Sequence, residues 1–435
     1  MEPQFQQRNG RPVYVVDGSR TPFIKVRGRP GPFRASDLAF NAARPLLARQ
    51  SFAPDEIDEV IFGCIAPGPD EVNIARVIAL RLGCGDEMPA WTVQRNCGSG
   101  MQALDSAAKD IAIGRADLVL AGGTESMSHA PVLFDVSMVD WLGQWTTARS
   151  FSARIKSLFR FRPVYLKPVI GLLRGLTDPI CGLSMGQTAE ELAHRFGISR
   201  EAMDEYAVQS HKRLAAAHNE GRMSEVEVVY DWRGNSYARD DGVRPDSSVE
   251  SLAKLKPAFD REFGNVTAGN SAQITDGAAC LILASEDAVR RHQLEIMGRI
   301  VDTQWAALDP RHMGLGPVYT STRLLRRHRL GVNDIDYWEI NEAFAAQVLA
   351  CLRAWTDEQF CQERLGLHAR FGEIDRARLN VDGGGISLGH PVGASGARIV
   401  LRLLHVLNGH KAARGVATLC IGGGQGGAML LECDA

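Results

Sequence analysis

The sequence predicts an α/β fold made of two repeated halves, and three observations predict it. Short apolar strands alternate with helical stretches over residues 13–123, the same order of elements starts again near residue 299, and a segment of different character, 127–262, lengthens the first half. Strands alternating with helices predict a mostly parallel sheet covered on both faces. The boundaries that follow are 1–126 with 263–290 for the first half, 127–262 for an inserted loop domain, and 291–435 for the second half.

The elements are justified in order. Val13 to Asp17 reads as a buried strand, with a turn expected from Gly18 to Pro22, and Ala35 to Gln50 carries apolar residues at helical spacing. A second strand is expected within Ile57 to Ile65, a helix over Asn73 to Leu82, and a short strand at Trp91-Thr92-Val93. Met101 to Ile113 reads as a helix with alanines at close-packing positions, and Ala116 to Leu120 as a strand ended by Gly122-Gly123. In the insert, helices are expected over Thr188 to Phe196 and Arg200 to Glu220. Gly277 to Leu283 closes the first half.

The second half repeats the pattern. Arg299 to Asp302 matches the first strand, and Asn333 to Ile340 echoes Asp55 to Phe62. A helix from Gly393 to Leu407 leads to the strand Gly415 to Leu419, and Gly427 to Leu431 closes the half. An internal duplication accounts for this order, the alternative being chance similarity among α/β units.

Composition narrows the function classes. The chain has 435 residues, 45% hydrophobic and 23% charged, with a net charge of −2, so no global charge points to nucleic acid. The nine cysteines are odd in number and form no Cys-x-x-Cys pair, which argues against a disulfide framework or zinc site and for a reducing, cytoplasmic setting. Met1 to Gly10 is polar, with no apolar core of a secretory signal, and no apolar run approaches the ~18 residues of a spanning helix. Residues 141–177 hold seven basic residues (Arg149, Arg154, Lys156, Arg160, Arg162, Lys167, Arg174) and no acid, interleaved with aromatic and aliphatic ones. Such a stretch is either a surface lid whose apolar face is core, or a surface for an anionic membrane or a partner.

Three junctions carry candidate chemistry. Cys97 lies in Asn96-Cys97-Gly98-Ser99-Gly100, where a strand is expected to give way to a helix. The amides of a helix N-terminus favour a thiolate, so a lowered thiol pKa is expected, although a lone cysteine is ordinarily a small buried hydrophobe. Cys420 stands at what reads as the corresponding junction of the second half, before Gly422-Gly423-Gly424, whose amides could hold an oxyanion. His390, within Gly389-His390-Pro391-Val392-Gly393-Ala394-Ser395-Gly396, is the side chain of that run able to move a proton at neutral pH.

These blocks, together with Asn341-Glu342-Ala343-Phe344-Ala345, Val266 to Asn270, Thr275 to Ala279 and Ser19 to Phe23, resemble the signature blocks of the thiolases from about residue 12 to 433. The resemblance implies the thiolase fold, two βαβαβαββ halves layered α-β-α-β-α, and the activity of an acetyl-CoA C-acyltransferase. It implies that Cys97 becomes S-acylated, that His390 activates Cys97 and later CoA, and that Cys420 exchanges a proton with the acetyl carbanion. It further implies that Asn341, through a water, and His390 stabilise an enolate oxygen, and that the amides of Cys97 and Gly422 form a second oxyanion hole. For CoA it points to Met185 at the pantetheine, with Arg244, Ser251 and Ser271 as further contacts. It implies CoA and acyl-CoA as substrates, no permanently bound cofactor or metal, and a homodimer or homotetramer.

Two departures stand out: Ser184 where many short-chain thiolases have histidine, and Ala272 where they commonly have serine. The long insert resembles that of thiolase subunits in fatty-acid β-oxidation complexes, which implies medium- or long-chain substrates and a hydratase–dehydrogenase partner. Asn341, where those subunits often have histidine, favours instead a short-chain acetoacetyl-CoA thiolase. A thiolase-fold subunit acting mainly in docking is the reading from outside enzymology.

Overall fold

The computed structural model describes residues 10–434. The first half runs β1 (Tyr14–Arg20), α1 (Ala35–Ala48), β2 (Glu59–Gly63), α2 (Ile74–Leu82), β3 (Ala90–Val93), α3 (Ser99–Ala112) and β4 (Leu118–Ser126). The insert contributes α4 (Met185–Arg195) and α5 (Arg200–Asn219) before β5 (Thr275–Ala284) completes the half. The second half runs β6 (Gly298–Ala307), α6 (Gly316–Arg327), β7 (Tyr337–Ile340), α7 (Ala345–Thr356), α8 (Ser395–His410), β8 (Arg414–Ile421) and β9 (Gln425–Glu432).

The strands lie in the order β3-β2-β4-β5-β1 in the first half and β7-β8-β9-β6 in the second. In the first, β2 pairs in parallel with β3 and β4, while β5 runs antiparallel to both its neighbours. In the second, β7 and β8 are parallel and β9 opposes β8 and β6. Leu379 bridges in parallel to Trp338 where a third strand would extend the series. The two halves therefore share strand order and direction. They meet edge to edge where Tyr14 and Val15 of β1 pair with Arg299 and Gly298 of β6.

Helices fill three layers around this sheet. Leu38, Leu46 and Ile78 from α1 and α2 cover the outer face of the first half. Met101, Leu104, Val400 and Leu404 from α3 and α8 form the layer between the halves. Val318, Val348 and Leu192 from α6, α7 and α4 cover the outer face of the second. That is the α-β-α-β-α arrangement.

Three expectations needed correction. The sheet expected to be mostly parallel is parallel only at β3-β2, β2-β4 and β7-β8, because the strand that closes each half and the first strand of each half return antiparallel beside them. The strand expected to stop at Leu120 continues as β4 to Ser126, through Gly122 and Gly123. Glycine usually ends a strand, but here it removes side chains where another segment must approach: a Cβ on Gly123 would collide with the Gly393 carbonyl. Likewise β1 runs on to Arg20 through the expected turn, because Ser19 and Arg20 pair with Cys280 and Ala279 of β5.

Buried charges tie the insert to both halves. Arg20 of β1 binds Asp240 through bonds of 2.7 and 2.9 Å and Glu225 at 3.4 Å. Arg402 of α8 meets Glu225 at 2.9 Å and Asp382 at 3.3 Å. All five side chains are buried. Removing one member would leave buried charge short of a partner, typically at a cost of about 3–5 kcal/mol.

Candidate active site

The central helices α3 and α8 occupy equivalent places in the two halves, and their N-termini touch. A Cβ at Gly100 would stand 2.8 Å from the Ala397 nitrogen and from the Gly393 oxygen, and one at Gly396 would collide with the Met101 backbone. Only glycine permits this approach. Cys97 immediately precedes the cap of α3, and His390 lies in the loop leading into α8. The topological counterpart of Cys97 is therefore the His390 loop. Cys420, taken from the sequence as the counterpart of Cys97, lies instead within β8, opposite Gly426. The nucleophile and base candidates are paired by the duplication, and Cys420 is added from a strand.

Cys97 is only partly exposed and is held in a sharply bent loop. Asn96 adopts φ 44, in the left-handed region that asparagine tolerates better than most residues. Its side-chain amide donates to the Gly422 carbonyl at 2.8 Å, fastening the Cys97 loop to the glycine turn after Cys420. The nearby amides of Gly422 and of Cys97 itself favour the thiolate. Burial nevertheless raises the thiol above its ordinary pKa, with a smaller push from Glu125. The expected lowering is thus overturned: desolvation of the thiolate outweighs the amides and the helix terminus. In the resting protein Cys97 is a thiol and requires a base.

His390 is the candidate for that base. Its Nδ1 lies 2.6 Å from the Ser395 hydroxyl, and that hydroxyl lies 3.1 Å from the Pro391 carbonyl. A carbonyl only accepts, so the single Ser395 proton goes to Pro391, and Ser395 receives Nδ1–H from the imidazole. The lone pair is then on Nε2, which is buried without a protein partner. Burial first, then the charge of Arg398, holds the imidazole down at about 4, so it is neutral at physiological pH.

Asn341 is fully buried, and its Oδ1 accepts from Arg398 at 3.4 Å. That contact leaves the Nδ2 donor without a protein partner, as expected of a group that holds an oxyanion or its bridging water. Arg398 is anchored in turn by buried Glu339 at 3.1 Å. Burial lifts the Glu339 carboxyl to about 7 despite Arg398. Cys420 is buried, and its thiol is raised well above the ordinary value by burial, then by Cys97 and Cys351. It is a proton donor at neutral pH, close enough to Cys97 for their charges to interact.

The CoA candidates divide. Met185 opens α4, and a Cβ added at Gly422 would stand 3.1 Å from its sulfur, so this side chain borders the Cys97 site. Arg244 is exposed, and its charge acts on Lys25 and His211. Burial and then Arg244 and Lys25 hold the His211 imidazole at about 4. Ser251 lies inside a short helix, Val249–Ala253, that Ser248 caps, and donates to the Ser248 carbonyl at 2.8 Å. Ser271 is buried and donates to the Thr267 carbonyl at 2.6 Å, so its proton is engaged away from any ligand.

Sequence reasoning missed several participants. Ser395 looked like part of a glycine-rich run, and Asn96 like a neighbour of the cysteine. The buried Glu125 carboxylate accepts amides of Ile65, Ala66 and Gly393 at 2.9, 3.0 and 3.1 Å, pinning the His390 loop to the first half. Arg398 falls three residues after Ser395, on the inner turn of α8, a position that could have marked it as inward-facing.

The comparisons with known proteins agree along nearly the whole chain. A family model for the thiolase N-terminal domain matches residues 13–287, and one for the thiolase C-terminal domain matches 294–433. A 3-ketoacyl-CoA thiolase of Serratia proteamaculans is 37% identical over 431 residues, covering 98% of each chain. Human mitochondrial 3-ketoacyl-CoA thiolase, solved also in complex with CoA, superposes with a TM-score of 0.83 at 36% identity, over 98% of this chain and 99% of that one. The Bacillus anthracis acetyl-CoA acetyltransferase superposes with a TM-score of 0.81 at 34% identity, over 98% and 99%.

Proposed function

The chain belongs to the thiolase family, a family of acyltransferases, and we propose that it cleaves medium- or long-chain 3-ketoacyl-CoA with CoA, in fatty-acid β-oxidation. The observation that supports the chemistry is the contact of the α3 and α8 N-termini, which draws together the loops bearing Cys97 and an Nε2-basic His390, in a chain that also buries an unpartnered Asn341 Nδ2 and a protonated Cys420.

On this reading His390 Nε2 takes the Cys97 proton as sulfur attacks the 3-keto carbon. Collapse of the tetrahedral adduct breaks the C2–C3 bond and leaves acyl-Cys97 and the enolate of acetyl-CoA. Asn341, through a water, and the protonated His390 stabilise the enolate oxygen, and Cys420 delivers its proton to C2. The imidazolium proton returns to the Cys420 thiolate, which resets both groups. In the second half-reaction His390 deprotonates the CoA thiol. The CoA thiolate then attacks the acyl carbon, whose oxyanion lies between the amides of Cys97 and Gly422. Cys97 leaves as thiolate and recovers its proton from His390, so protons balance over the cycle. An acyl-enzyme that forms and breaks in separate steps predicts ping-pong kinetics.

Arg244 and Lys25 support CoA binding, since two cations that repel one another are relieved by the phosphates of a nucleotide. Met185 is placed for the pantetheine end, whereas Ser251 and Ser271 keep lesser roles through their accepting oxygens. The insert, 127–262, acts as the lid. Nine unpaired cysteines support a reducing, cytoplasmic setting, and the family resemblance supports a homodimer or homotetramer. Asn341 keeps the short-chain reading in play. Thiolysis rates across 3-ketoacyl-CoA from four to sixteen carbons distinguish the two. A steady fall of kcat/KM with chain length would refute the longer-chain reading and leave the acetoacetyl-CoA one.

A further inference from the structure

Asn341 is followed by a second buried polar residue, one that the chemistry above leaves without a role. Glu342 is 1% exposed, and each of its carboxylate oxygens takes two donors. Oε1 accepts from Asn380 Nδ2 at 2.9 Å and from the Tyr206 hydroxyl at 3.0 Å. Oε2 accepts from the Ser210 hydroxyl at 2.6 Å and from the Ile386 amide at 3.3 Å. A carboxylate taken out of water is held wherever its donors are, so four of them fix this one firmly. Tyr206 and Ser210 belong to α5 of the insert, and Asn380 and Ile386 to the run that leads into Gly389-His390.

The residues on both sides of Asn341 are tied to that run. Asn380 adopts φ 46 and brackets Ile340: its Oδ1 accepts the Ile340 N–H at 2.9 Å, and its Nδ2 donates to the Ile340 carbonyl at 2.9 Å. Glu342 takes the Ile386 amide on the other side, and glycine makes the approach possible. A Cβ at Gly384 would stand 2.5 Å from the Glu342 carboxyl carbon, and one at Gly385 2.8 Å from the Glu342 carbonyl oxygen. Ser210 adds a further tie, its hydroxyl accepting the Gly384 amide at 3.2 Å. Asn341 therefore sits between two clamped residues, on backbone fastened to the His390 run.

We infer that Glu342 is a positioning residue for carbon–carbon bond cleavage, holding Asn341 in register with the His390 run so that the two enolate donors keep their spacing. The inference rests on the catalytic reading above and extends it to the insert, through Tyr206 and Ser210. It also separates the two half-reactions. The enolate belongs to the first, where Asn341 acts, whereas transfer of the acyl group to CoA uses His390 with the amides of Cys97 and Gly422. His390 has anchors of its own, Ser395 at Nδ1 and Glu125 at the Gly393 amide, and the Gly422 turn is held by Asn96. A disturbance at Glu342 therefore falls on the enolate step.

The test variant is Glu342→Gln, which keeps the shape of the side chain but cannot satisfy the site. Asn380 Nδ2 and the Ile386 amide only donate, one to each oxygen, so the glutamine NH2 opposes a donor in either orientation. Acetyl-CoA reports both steps: exchange of its α-protons for deuterium reads the enolate, and exchange of its CoA with labelled CoA reads acyl transfer through Cys97. Proton exchange and 3-ketoacyl-CoA thiolysis should fall by about ten- to a hundred-fold, as when reacting groups are misplaced by up to ~1 Å, while CoA exchange stays within about two-fold of wild type. Tyr206→Phe, which removes one donor and keeps the ring, should show the same split at about five-fold, and it decides the matter if the glutamine variant does not fold. Proton and CoA exchange that fall together would make Glu342 a structural residue only and overturn the inference, as would proton exchange at the wild-type rate. Wild-type protein that thiolyses no 3-ketoacyl-CoA would overturn the catalytic reading itself, and the inference with it.

Discussion

Ser395→Ala tests whether the Ser395 hydroxyl sets the tautomer of the base. In the native protein His390 Nδ1 donates to Ser395 across 2.6 Å, and Ser395 donates onward to Pro391 across 3.1 Å. The variant leaves a buried Nδ1–H with no acceptor, a loss of about 1–3 kcal/mol. That loss falls on the productive tautomer alone, so the ring shifts toward carrying its proton on Nε2, where it cannot receive one from Cys97. At 1.4 kcal/mol per factor of ten, kcat/KM should fall by about 10- to 100-fold. Rapid-quench mass spectrometry of acyl-enzyme formation should show the same loss in the first half-reaction. The pH profile separates this from a loosened site. Burial holds the imidazole at about 4, and the base works when neutral, so activity should be lost only as pH falls through about 4. Losing an Nδ1 acceptor disfavours the imidazolium and moves that limb lower, if at all. A site opened to water would move it up, toward the ordinary histidine value near 6.5. Wild-type kcat/KM in the variant, or a limb displaced upward, would refute the tautomer argument.

Two further outcomes follow from the same geometry. Cys97→Ser should give no mass adduct after incubation with 3-ketoacyl-CoA, whereas Cys420→Ala should still acylate from an acyl-CoA but fail to exchange the acetyl α-protons for deuterium. An adduct on Cys420, or normal exchange without it, would reverse the assignments. Arg398→Met leaves Glu339 buried without its ion-pair partner and Asn341 Oδ1 with no donor, and should cost about 3 kcal/mol or more of stability at pH 8 in urea unfolding. Glu339 already titrates near 7, above its unfolded value, so the folded form holds its proton more tightly below that pH. The variant should therefore regain stability as pH drops from 8 to 6; an equal loss at both values would count against an isolated carboxylate as the cause.

Most of the layout was legible because it rests on local signals. Helical spacing located α1, α2, α3 and α8 to within a few residues, and the blocks around Cys97, Asn341, His390 and Cys420 fall in loops and strand ends that converge. What escaped depends on contacts distant in sequence. Nothing near Gly123 announces that the Gly393 carbonyl lies against it, so a strand looked terminated. Arg20, Glu225, Asp240, Asp382 and Arg402 look like solvated charges one at a time, and only the fold shows them buried together. The pKa of Cys97 went the other way from expectation for a related reason. A helix N-terminus can be read from sequence, but the depth at which it is buried cannot, and depth decided the sign.

The direction of those shifts bears on how the site works. Burial raises both Cys97 and Cys420 and lowers His390, so all three rest without charge. A site poised as thiolate and imidazolium would be more reactive toward any electrophile that reached it. A neutral site makes charge only when a substrate carbonyl accepts the sulfur and the surrounding donors take up the negative oxygen. Those donors are fixed in advance: Asn341 by Arg398, and the Gly422 turn by Asn96. Each fixing bond runs between segments far apart in sequence, and the Asn96 bond joins the two halves directly. The contact of α3 with α8 does the same for nucleophile and base. A single half could therefore present a cysteine or a histidine at a helix terminus, but not the pair with its oxyanion donors. On this argument the duplication is what the proposed chemistry requires of the fold, since the proposed proton path from Cys97 to His390 crosses from one copy of the motif to the other.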